Sequence, residues 1–178
     1  VYNRSALCAT PLRESREAPH RYDLGMTASP QQTPSAPASD ALVAGGGDVI
    51  SVQVLLQSDN ITTRDAVRAA VGRRPAKDVE IAGWRECATP DAVIEAVEAG
   101  GIDLLVLDGE SAKLGGMGLC RQLKSEIHEC PPVLVLTGRP QDGWLATWSM
   151  ADAAVPHPVD PIALADAVAD LARGVAAR

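Results

Sequence analysis

The sequence predicts an α/β protein with a doubly wound, five-stranded parallel sheet, preceded by an irregular N-terminal extension. Short apolar segments alternate with amphipathic segments five times between residue 49 and the C-terminus. Two of the apolar segments, 102–108 and 132–138, are almost continuously apolar, as expected for strands that helices cover on both faces. Residues 1–48 are rich in Pro, Ser, Ala and Gly and lack periodicity, so they cannot bury enough apolar surface to offset the entropy of ordering. We therefore divide the chain into an extension at 1–48 and a folded domain at 49–178.

Five apolar runs predict the strands. They are 50–56 (ISVQVLL), 79–84 (VEIAGW), 102–108 (IDLLVLD), 132–138 (PVLVLTG) and 153–158 (AAVPHP), the last being the poorest. In a sheet of this type, the functional residues are expected at the carboxyl ends of the strands.

Apolar stripes and end signals predict the helices at 62–73, 89–101, 116–127, 142–151 and 160–174. The first helix has one stripe, formed by Ala66, Val67, Ala70 and Val71. Thr89 and Asp160 are expected N-caps, because each precedes a proline at the first helical position. Gly100 and Gly174 are the expected stops of those two helices.

Composition limits the classes of function. Apolar residues make up 46 % of the chain and aromatic residues 3 %, with no Phe, so the core must consist of Val, Leu, Ile and Ala. The net charge of −7 argues against a nucleic-acid or anionic-membrane partner, because phosphates repel an acidic surface. Four scattered cysteines and three histidines show no metal-binding spacing, which favours reduced thiols in the cytoplasm. No apolar run approaches the roughly 20 residues that span a bilayer, and no signal peptide is recognisable, so we expect a soluble, intracellular protein.

Polar residues stand at the carboxyl ends of four predicted strands: Ser58-Asp59, Asp108, Thr137 and His157. Carboxylates that converge on one crevice repel each other, and a hard cation such as Mg²⁺ relieves this repulsion. A carboxylate in such a site can accept a phosphoryl group as a nucleophile, while a nearby hydroxyl and a cation hold the new phosphate oxygens. Taken singly, each of these residues could equally be a turn or cap residue.

With these residues in this order, the chain resembles the receiver domain of two-component response regulators, from the first predicted strand to the last predicted helix. The resemblance implies a flavodoxin-like receiver fold with Asp108 as the phosphoacceptor. Gly116 matches the family glycine eight residues later, and Thr137 and His157 occupy the positions of the phosphate-stabilising hydroxyl and lysine. Asp59 and Asp108 occupy the positions of metal-binding carboxylates.

Several family residues are replaced. Ser58 stands where the family has the first acid of a pair, and His157 replaces a lysine that would be charged at neutral pH. Ala112 replaces a proline, and Ala154 replaces the aromatic residue that rotates during signalling. We expect an atypical receiver with a degenerate phosphorylation site at Asp108, weak Mg²⁺ binding and no required cofactor.

The sequence contains no recognisable output domain, so we expect a single-domain protein that binds another protein and is not an enzyme. The segment 133–162 resembles a group of actinobacterial orphan receivers linked to NADH:quinone oxidoreductase, respiratory complex I. That resemblance implies an accessory or regulatory subunit, peripheral at the inner face of the membrane and without direct membrane insertion. Trp144 and Trp148 lie on one helical stripe, where they either fill a core that lacks Phe or anchor the partner.

Two alternatives remain open. The first is a working phosphoacceptor in a two-component phosphorelay, phosphorylated on Asp108. The second is an α/β enzyme or nucleotide binder, which the glycine-rich segments do little to support. The segment GGGD at 45–48 precedes a strand instead of following one, and GGMG at 115–118 lacks the Walker lysine and the dinucleotide-binding spacing.

Overall fold

The structure, a computed structural model, describes residues 49–112 and 114–178, so the predicted extension at 1–48 lies outside the described residues. The strands are β1 (Ile50–Gln57), β2 (Val79–Cys87), β3 (Leu104–Asp108), β4 (Val133–Thr137) and β5 (Ala153–Pro156). The helices are α1 (Ile61–Val71), α2 (Pro90–Glu98), α3 (Gly115–Glu126), α4 (Gly143–Trp148) and α5 (Pro161–Ala176), with a 3₁₀ turn at Pro140–Asp142 before α4. All strand pairs are parallel, in the order β2-β1-β3-β4-β5. The predicted α/β class and five-stranded parallel sheet are confirmed.

Helices cover both faces of the sheet. On one face, α1 and α5 bury a cluster of aliphatic side chains against alternate strand residues that include Val54, Val106 and Leu134. On the other face, α2 and α3 pack on the intervening strand residues, among them Leu55 and Leu105. The β3 and β4 strands are buried over their whole length, which explains their continuous apolar sequences.

The helix ends agree with the sequence signals in part. The side chains of Thr89 and Asp160 accept hydrogen bonds from Ala92 N (3.4 Å) and Ala163 N (2.8 Å), as predicted. The predicted stop of the last helix at Gly174 is wrong, because α5 continues to Ala176. A glycine stops a helix mainly when it adopts a left-handed conformation, and Gly174 keeps helical geometry.

Other boundaries differ by a few residues. The second strand continues past its predicted end at residue 84 to Cys87, because β2 pairs with β1 along its whole length. The predicted helix at 142–151 is shorter and begins as a 3₁₀ turn. Met150, just after α4, has a φ of 63°. This left-handed conformation, which glycine usually adopts at the end of a helix, stops α4 from continuing.

Three cysteines, Cys87, Cys120 and Cys130, are buried as free thiols. Burial raises the pKa of Cys120 to about 11, so this thiol is a poor nucleophile at neutral pH. Cys8 lies outside the described residues. In the part of the chain that the structure describes, no helix has the length and apolar composition needed to cross a membrane.

A charged clamp ties the last helix to the connection between α1 and β2. The Arg173 guanidinium donates two hydrogen bonds of 2.8 Å to the two carboxylate oxygens of Asp78. This hydrogen-bonded pairing lowers the pKa of Asp78 from its ordinary value of 3.8 to about 2. Because the folded-state pKa is the lower one, the clamp stabilises the fold above pH 4 and loses its effect as the pH falls towards 2.

Replacing Arg173→Ala should return the pKa of Asp78 towards 3.8, because the hydrogen bonds that hold the carboxylate ionised are lost. An NMR titration of the side-chain carboxyl carbon measures this pKa directly. The matched control is Asp170→Ala, which removes the other carboxylate bound by Arg173 and should leave Asp78 titrating near 2. An unchanged pKa in Arg173→Ala would contradict the clamp.

Candidate functional site

Polar side chains are buried mainly at one edge of the sheet. Among the described residues, five of the six buried polar side chains lie at the carboxyl ends of β1 and β4 or at and just after the end of β3: Gln57, Ser58, Asp108, Ser111 and Thr137. The interiors of the fully buried strands β3 and β4 hold only aliphatic side chains, because helices cover both faces of the sheet. The carboxyl edge is therefore where this fold can hold buried polar side chains.

Asp108 is the centre of this edge, and its side chain is only 4 % exposed. Its Oδ2 accepts a hydrogen bond of 2.7 Å from the Ser58 hydroxyl, and its Oδ1 accepts one of 3.0 Å from Glu110 N. Nε2 of His157 lies 3.6 Å from the same Oδ1. Three sequence positions singled out for one site, 58, 108 and 157, are thus brought together.

Asp59 is not bound to Asp108 in this arrangement. Its Oδ2 accepts a hydrogen bond of 2.9 Å from Ala112 N, which fastens the loop between β3 and α3 to the end of β1. Ser111 strengthens the same attachment, because its Oγ accepts hydrogen bonds from Gln57 Nε2 (3.1 Å) and Asp59 N (3.4 Å). Gln57 Oε1 is buried without a hydrogen-bond partner in the described chain.

Thr137 lies next to the site through its backbone. Its carbonyl accepts a hydrogen bond of 2.7 Å from His157 N, which aligns the ends of β4 and β5. The Thr137 hydroxyl donates to the carbonyl of Arg139 at 3.2 Å and makes no hydrogen bond to Asp108. The predicted phosphate-stabilising hydroxyl is therefore engaged with the main chain in this conformation.

The residues present fit Mg²⁺ poorly. Ser58 supplies a neutral hydroxyl where a second carboxylate would attract the cation, and its hydroxyl donates to Asp108 Oδ2. The bound oxygen of Asp59 faces Ala112 N. Over residues 49–112 and 114–178, no group of three or more His, Cys, Asp or Glu side chains is placed to hold a metal ion.

Sequence reasoning missed the role of Ser58 and did not single out three further participants in the site, which are Gln57, Ser111 and Glu110. Ser58 was treated only as a lost acid, although its hydroxyl donates the shortest hydrogen bond that Asp108 accepts. Gln57 and Ser111 were not singled out, and only the appearance of a glutamine at the end of an apolar strand could have indicated a role for Gln57. Glu110 contributes through its backbone N–H, which no sequence pattern identifies.

Gly116 allows α3 to begin close to Asp108. A Cβ on Gly116 would lie 2.7 Å from both the carbonyl carbon and the carbonyl oxygen of Asp108. These are backbone atoms of a buried strand, so they cannot move aside as a flexible side chain would. The glycine therefore has a packing role, and GGMG is the first turn of a helix and not a nucleotide-binding loop.

The two tryptophans of α4 lie at the surface. Trp144 is 66 % exposed and Trp148 is 54 % exposed, which rules out core filling as their explanation. The Arg121 guanidinium lies 5.3 Å from the centroid of the Trp148 ring and donates a hydrogen bond of 2.8 Å to the Trp148 carbonyl. This cation–π contact restrains an exposed aromatic side chain.

Known proteins similar to this chain were found by sequence and by structure. The chain is 52 % identical over 126 residues to uncharacterized response regulatory proteins from two strains of Mycobacterium tuberculosis, matching 71 % of this chain and 95 % of each relative. No family model matches the chain.

Solved structures share the fold. The response regulatory domain of protein mrkE from Klebsiella pneumoniae superposes with a TM-score of 0.58 at 15 % identity, over 71 % of this chain and 99 % of that domain. The signal receiver domain of an HD domain-containing protein from Pseudomonas fluorescens gives a TM-score of 0.60 at 12 % identity, over 74 % of this chain and 94 % of that domain.

Gly116→Ala should destabilise the protein by about 1–3 kcal/mol, the usual cost of forcing extra atoms into a packed core. Chemical denaturation followed by circular dichroism measures the loss. The matched control is Gly118→Ala in the same helix, where a Cβ would meet only the flexible, exposed side chain of Leu114. That control should be neutral or stabilise the helix by about 0.5–1 kcal/mol. Equal stability of the two variants would contradict the packing role of Gly116.

Proposed function

Because this chain belongs to the response-regulator receiver family, we propose that it acts by binding a partner protein through contacts that do not require phosphorylation. The observation that carries this proposal is the exposed pair Trp144 and Trp148 on α4. Large aromatic side chains are enriched among the residues that dominate binding energy, and proteins rarely leave two of them on one exposed stripe without a use. We regard the protein as a signalling or accessory protein and not as an enzyme.

The surface around this pair suits a permanent contact. Met150, 40 % exposed, extends the apolar area beyond the end of α4. The contact between Arg121 and Trp148 holds one indole in place before binding, which lowers the entropic cost of forming an interface. We call this surface, formed by Trp144, Trp148 and Met150, the tryptophan surface.

We propose respiratory complex I as the partner, contacted on its cytoplasmic side. This identification is supported by the resemblance of segment 133–162 to complex I-linked orphan receivers, and that segment contains the whole tryptophan surface. The protein would then be an accessory or regulatory subunit, held at the inner face of the membrane through its partner and without insertion into the lipid. The extension at 1–48 would add a second, permanent contact.

The residues of the site support the proposal that Asp108 is phosphorylated only weakly. Asp108 accepts hydrogen bonds on both oxygens, which lowers its reactivity as a nucleophile. His157 stands where the family has a lysine, and an imidazole is a weaker base than an amine, so we expect new phosphate oxygens to be stabilised less well. A switch that takes binding from nearly off to nearly on needs a bias of about 5.5 kcal/mol. Ala154 has no ring to rotate, and it leaves the receiver mechanism without its usual mobile side chain.

A working phosphoacceptor is the second candidate function. It is favoured by one observation, the position of Asp108 at the end of β3 with the His157 imidazole 3.6 Å from its Oδ1. In this case Asp108 would receive the phosphoryl group from a histidine kinase or a small phosphodonor, and partner binding would follow its modification.

Phosphorylation by acetyl phosphate with Mg²⁺ separates the two candidates. We expect little phosphoprotein by intact-protein mass spectrometry, because Ser58 and His157 replace an acid and a lysine. The double variant Ser58→Asp with His157→Lys should raise the yield, and adding Asp108→Asn should abolish the gain. Stoichiometric, Asp108-dependent phosphorylation of the natural protein would favour the phosphorelay.

Partner binding can be measured by affinity capture from membranes of the native host in mild detergent, with mass spectrometry of complex I subunits. Trp144→Ala and Trp148→Ala should each weaken capture strongly, since a buried tryptophan anchor is often worth about 2 kcal/mol or more. Ile61→Ala is the matched control, because Ile61 is also a large apolar residue, 63 % exposed, but lies on α1.

Two further variants decide whether phosphate is needed for that binding. Asp108→Asn should remain bound, whereas deletion of residues 1–48 should release the protein. If Asp108→Asn abolishes capture and the deletion has no effect, the accessory-subunit proposal is wrong and Asp108 is an active switch.

A further inference from the structure

The edge strand β2 and helix α1 form a groove of about 620 Å³ at the edge of the sheet opposite to β5. Arg68, Arg73 and the half-buried Trp84 line this groove, and the small residues Ala69 and Ala82 keep it open. It therefore places cationic groups beside one large aromatic side chain. We call this surface, formed by these five residues, the arginine groove.

The arginine groove lies in a positive region of an acidic domain. Residues 64–86 contain six basic and four acidic residues, a net charge of +2. Residues 49–178 as a whole contain twelve basic and eighteen acidic residues, a net charge of −6. An acidic ligand is therefore repelled by most of the domain and attracted to this region, which directs its binding to one place.

Glu80 of β2 holds two arginines at one end of the groove. Its Oε1 accepts hydrogen bonds from Nε (3.1 Å) and Nη2 (2.8 Å) of Arg73, and its Oε2 accepts them from Nε (3.2 Å) and Nη2 (3.1 Å) of Arg74. The side chains of these arginines remain 82 % and 59 % exposed. Each guanidinium has five N–H donors and uses two of them on Glu80, so both can bind a further carboxylate.

Glu86 repeats this arrangement further along β2. Its carboxylate accepts hydrogen bonds from Arg64 Nε at 2.9 Å and from Arg68 Nη1 at 2.8 Å. The Arg64 side chain is mostly buried, whereas that of Arg68 is half exposed. Guanidinium groups are thus held in place by carboxylates at two points along the strand before any ligand binds, which lowers the entropic cost of forming a contact.

The main chain of β2 is open along the second half of its outer edge. The first half is closed, because Ile81 N donates a hydrogen bond of 2.8 Å to the Arg73 carbonyl. The Cys87 carbonyl faces β1, since it accepts a hydrogen bond of 3.2 Å from the residue that follows β1. Main-chain groups alternate along a strand, so those of Trp84 and Glu86 face outwards. In the described part of the chain, no main-chain group of another segment binds them there.

We propose that the arginine groove and the open edge of β2 bind an extended, acidic segment of a partner protein. The main chain of the segment pairs with Trp84 and Glu86, as in other contacts that add a strand to a sheet edge. Its carboxylates bind Arg68, Arg73 and Arg74, and an apolar side chain covers the Trp84 ring. This contact is separate from the tryptophan surface, so one molecule can hold two partner segments at once.

Fluorescence anisotropy with the full-length protein tests the proposal, and the probe is a labelled peptide of alternating Glu and Val. A peptide of alternating Lys and Val should bind at least about tenfold more weakly, equivalent to about 1.4 kcal/mol. The affinity for the Glu–Val peptide should fall as the salt concentration rises, because the contacts are made by exposed charges.

Variants of exposed residues locate the binding. The double variant Arg73→Ala with Arg74→Ala should weaken binding of the Glu–Val peptide by about tenfold, equivalent to about 1.4 kcal/mol. The matched control is Arg139→Ala with Arg178→Ala, which removes the same charge from exposed positions outside the groove and should have little effect. Ala82→Glu should weaken binding, whereas Ala82→Lys, which adds similar bulk with a positive charge, should not.

Hydrogen exchange followed by NMR tests the pairing of the main chain. The amides of Trp84 and Glu86 should exchange more slowly when the Glu–Val peptide is bound, because each gains an acceptor or is shielded from water. The amides of β5, at the opposite edge of the sheet, should exchange at the same rate with and without the peptide.

Four results would each overturn the inference. The first is an equal loss of affinity in the two double arginine variants, and the second is equal affinity of Ala82→Glu and Ala82→Lys. The third is peptide binding without slower exchange at Trp84 and Glu86. The fourth is inorganic polyphosphate binding as tightly as the Glu–Val peptide, because the groove would then be a general anion site and not a site for a protein segment.

Discussion

Helices cover both faces of an all-parallel sheet, and this constraint decides where the protein can carry polar chemistry. Inside the sheet, β3 and β4 offer only aliphatic side chains to the helices on either face. Polar side chains become tolerable where a strand ends and its neighbours can supply donors and acceptors. Because the strands are parallel, all their carboxyl ends meet at one edge, and Asp108 lies at the centre of that edge.

The character of the site depends on which groups surround the Asp108 carboxylate. A second carboxylate in place of Ser58 would repel Asp108 and create a demand for a cation. The Ser58 hydroxyl instead donates a hydrogen bond of 2.7 Å, and Glu110 N donates another to the second oxygen. The carboxylate is therefore satisfied by neutral donors. Asp59 is used in a different way, since it binds Ala112 N and fixes the loop that leads into α3.

The tryptophan surface and the Asp108 site are built on different principles. The site is buried, closely hydrogen-bonded and held by three adjacent strand ends, so its geometry is determined by the sheet. The tryptophan surface is exposed, and only the Arg121 contact restrains Trp148. A receiver that had lost its switching chemistry could keep such a surface unchanged, because an apolar contact needs no change of charge to form. The proposal of permanent binding rests on these two features together.

The sequence by itself determined the fold class, the order of the elements and the edge at which Asp108, Thr137 and His157 lie. Apolar periodicity and the N-cap residues Thr89 and Asp160 are local signals, and the end of a strand can be read where an apolar run stops. The last helix was different, because whether Gly174 ends it depends on the conformation that the chain adopts there.

Only the tertiary structure decided which side chains meet and which remain exposed. Sequence patterns cannot show that the Ser58 hydroxyl reaches Asp108, or that Asp59 binds Ala112 N, because these contacts join segments that follow different strands. The sequence also could not determine whether the side chains of Trp144 and Trp148 are buried or exposed. A stripe with four-residue spacing is the same in a core and on a surface, and the environment of the stripe is set by the neighbouring elements that cover it or leave it open to solvent.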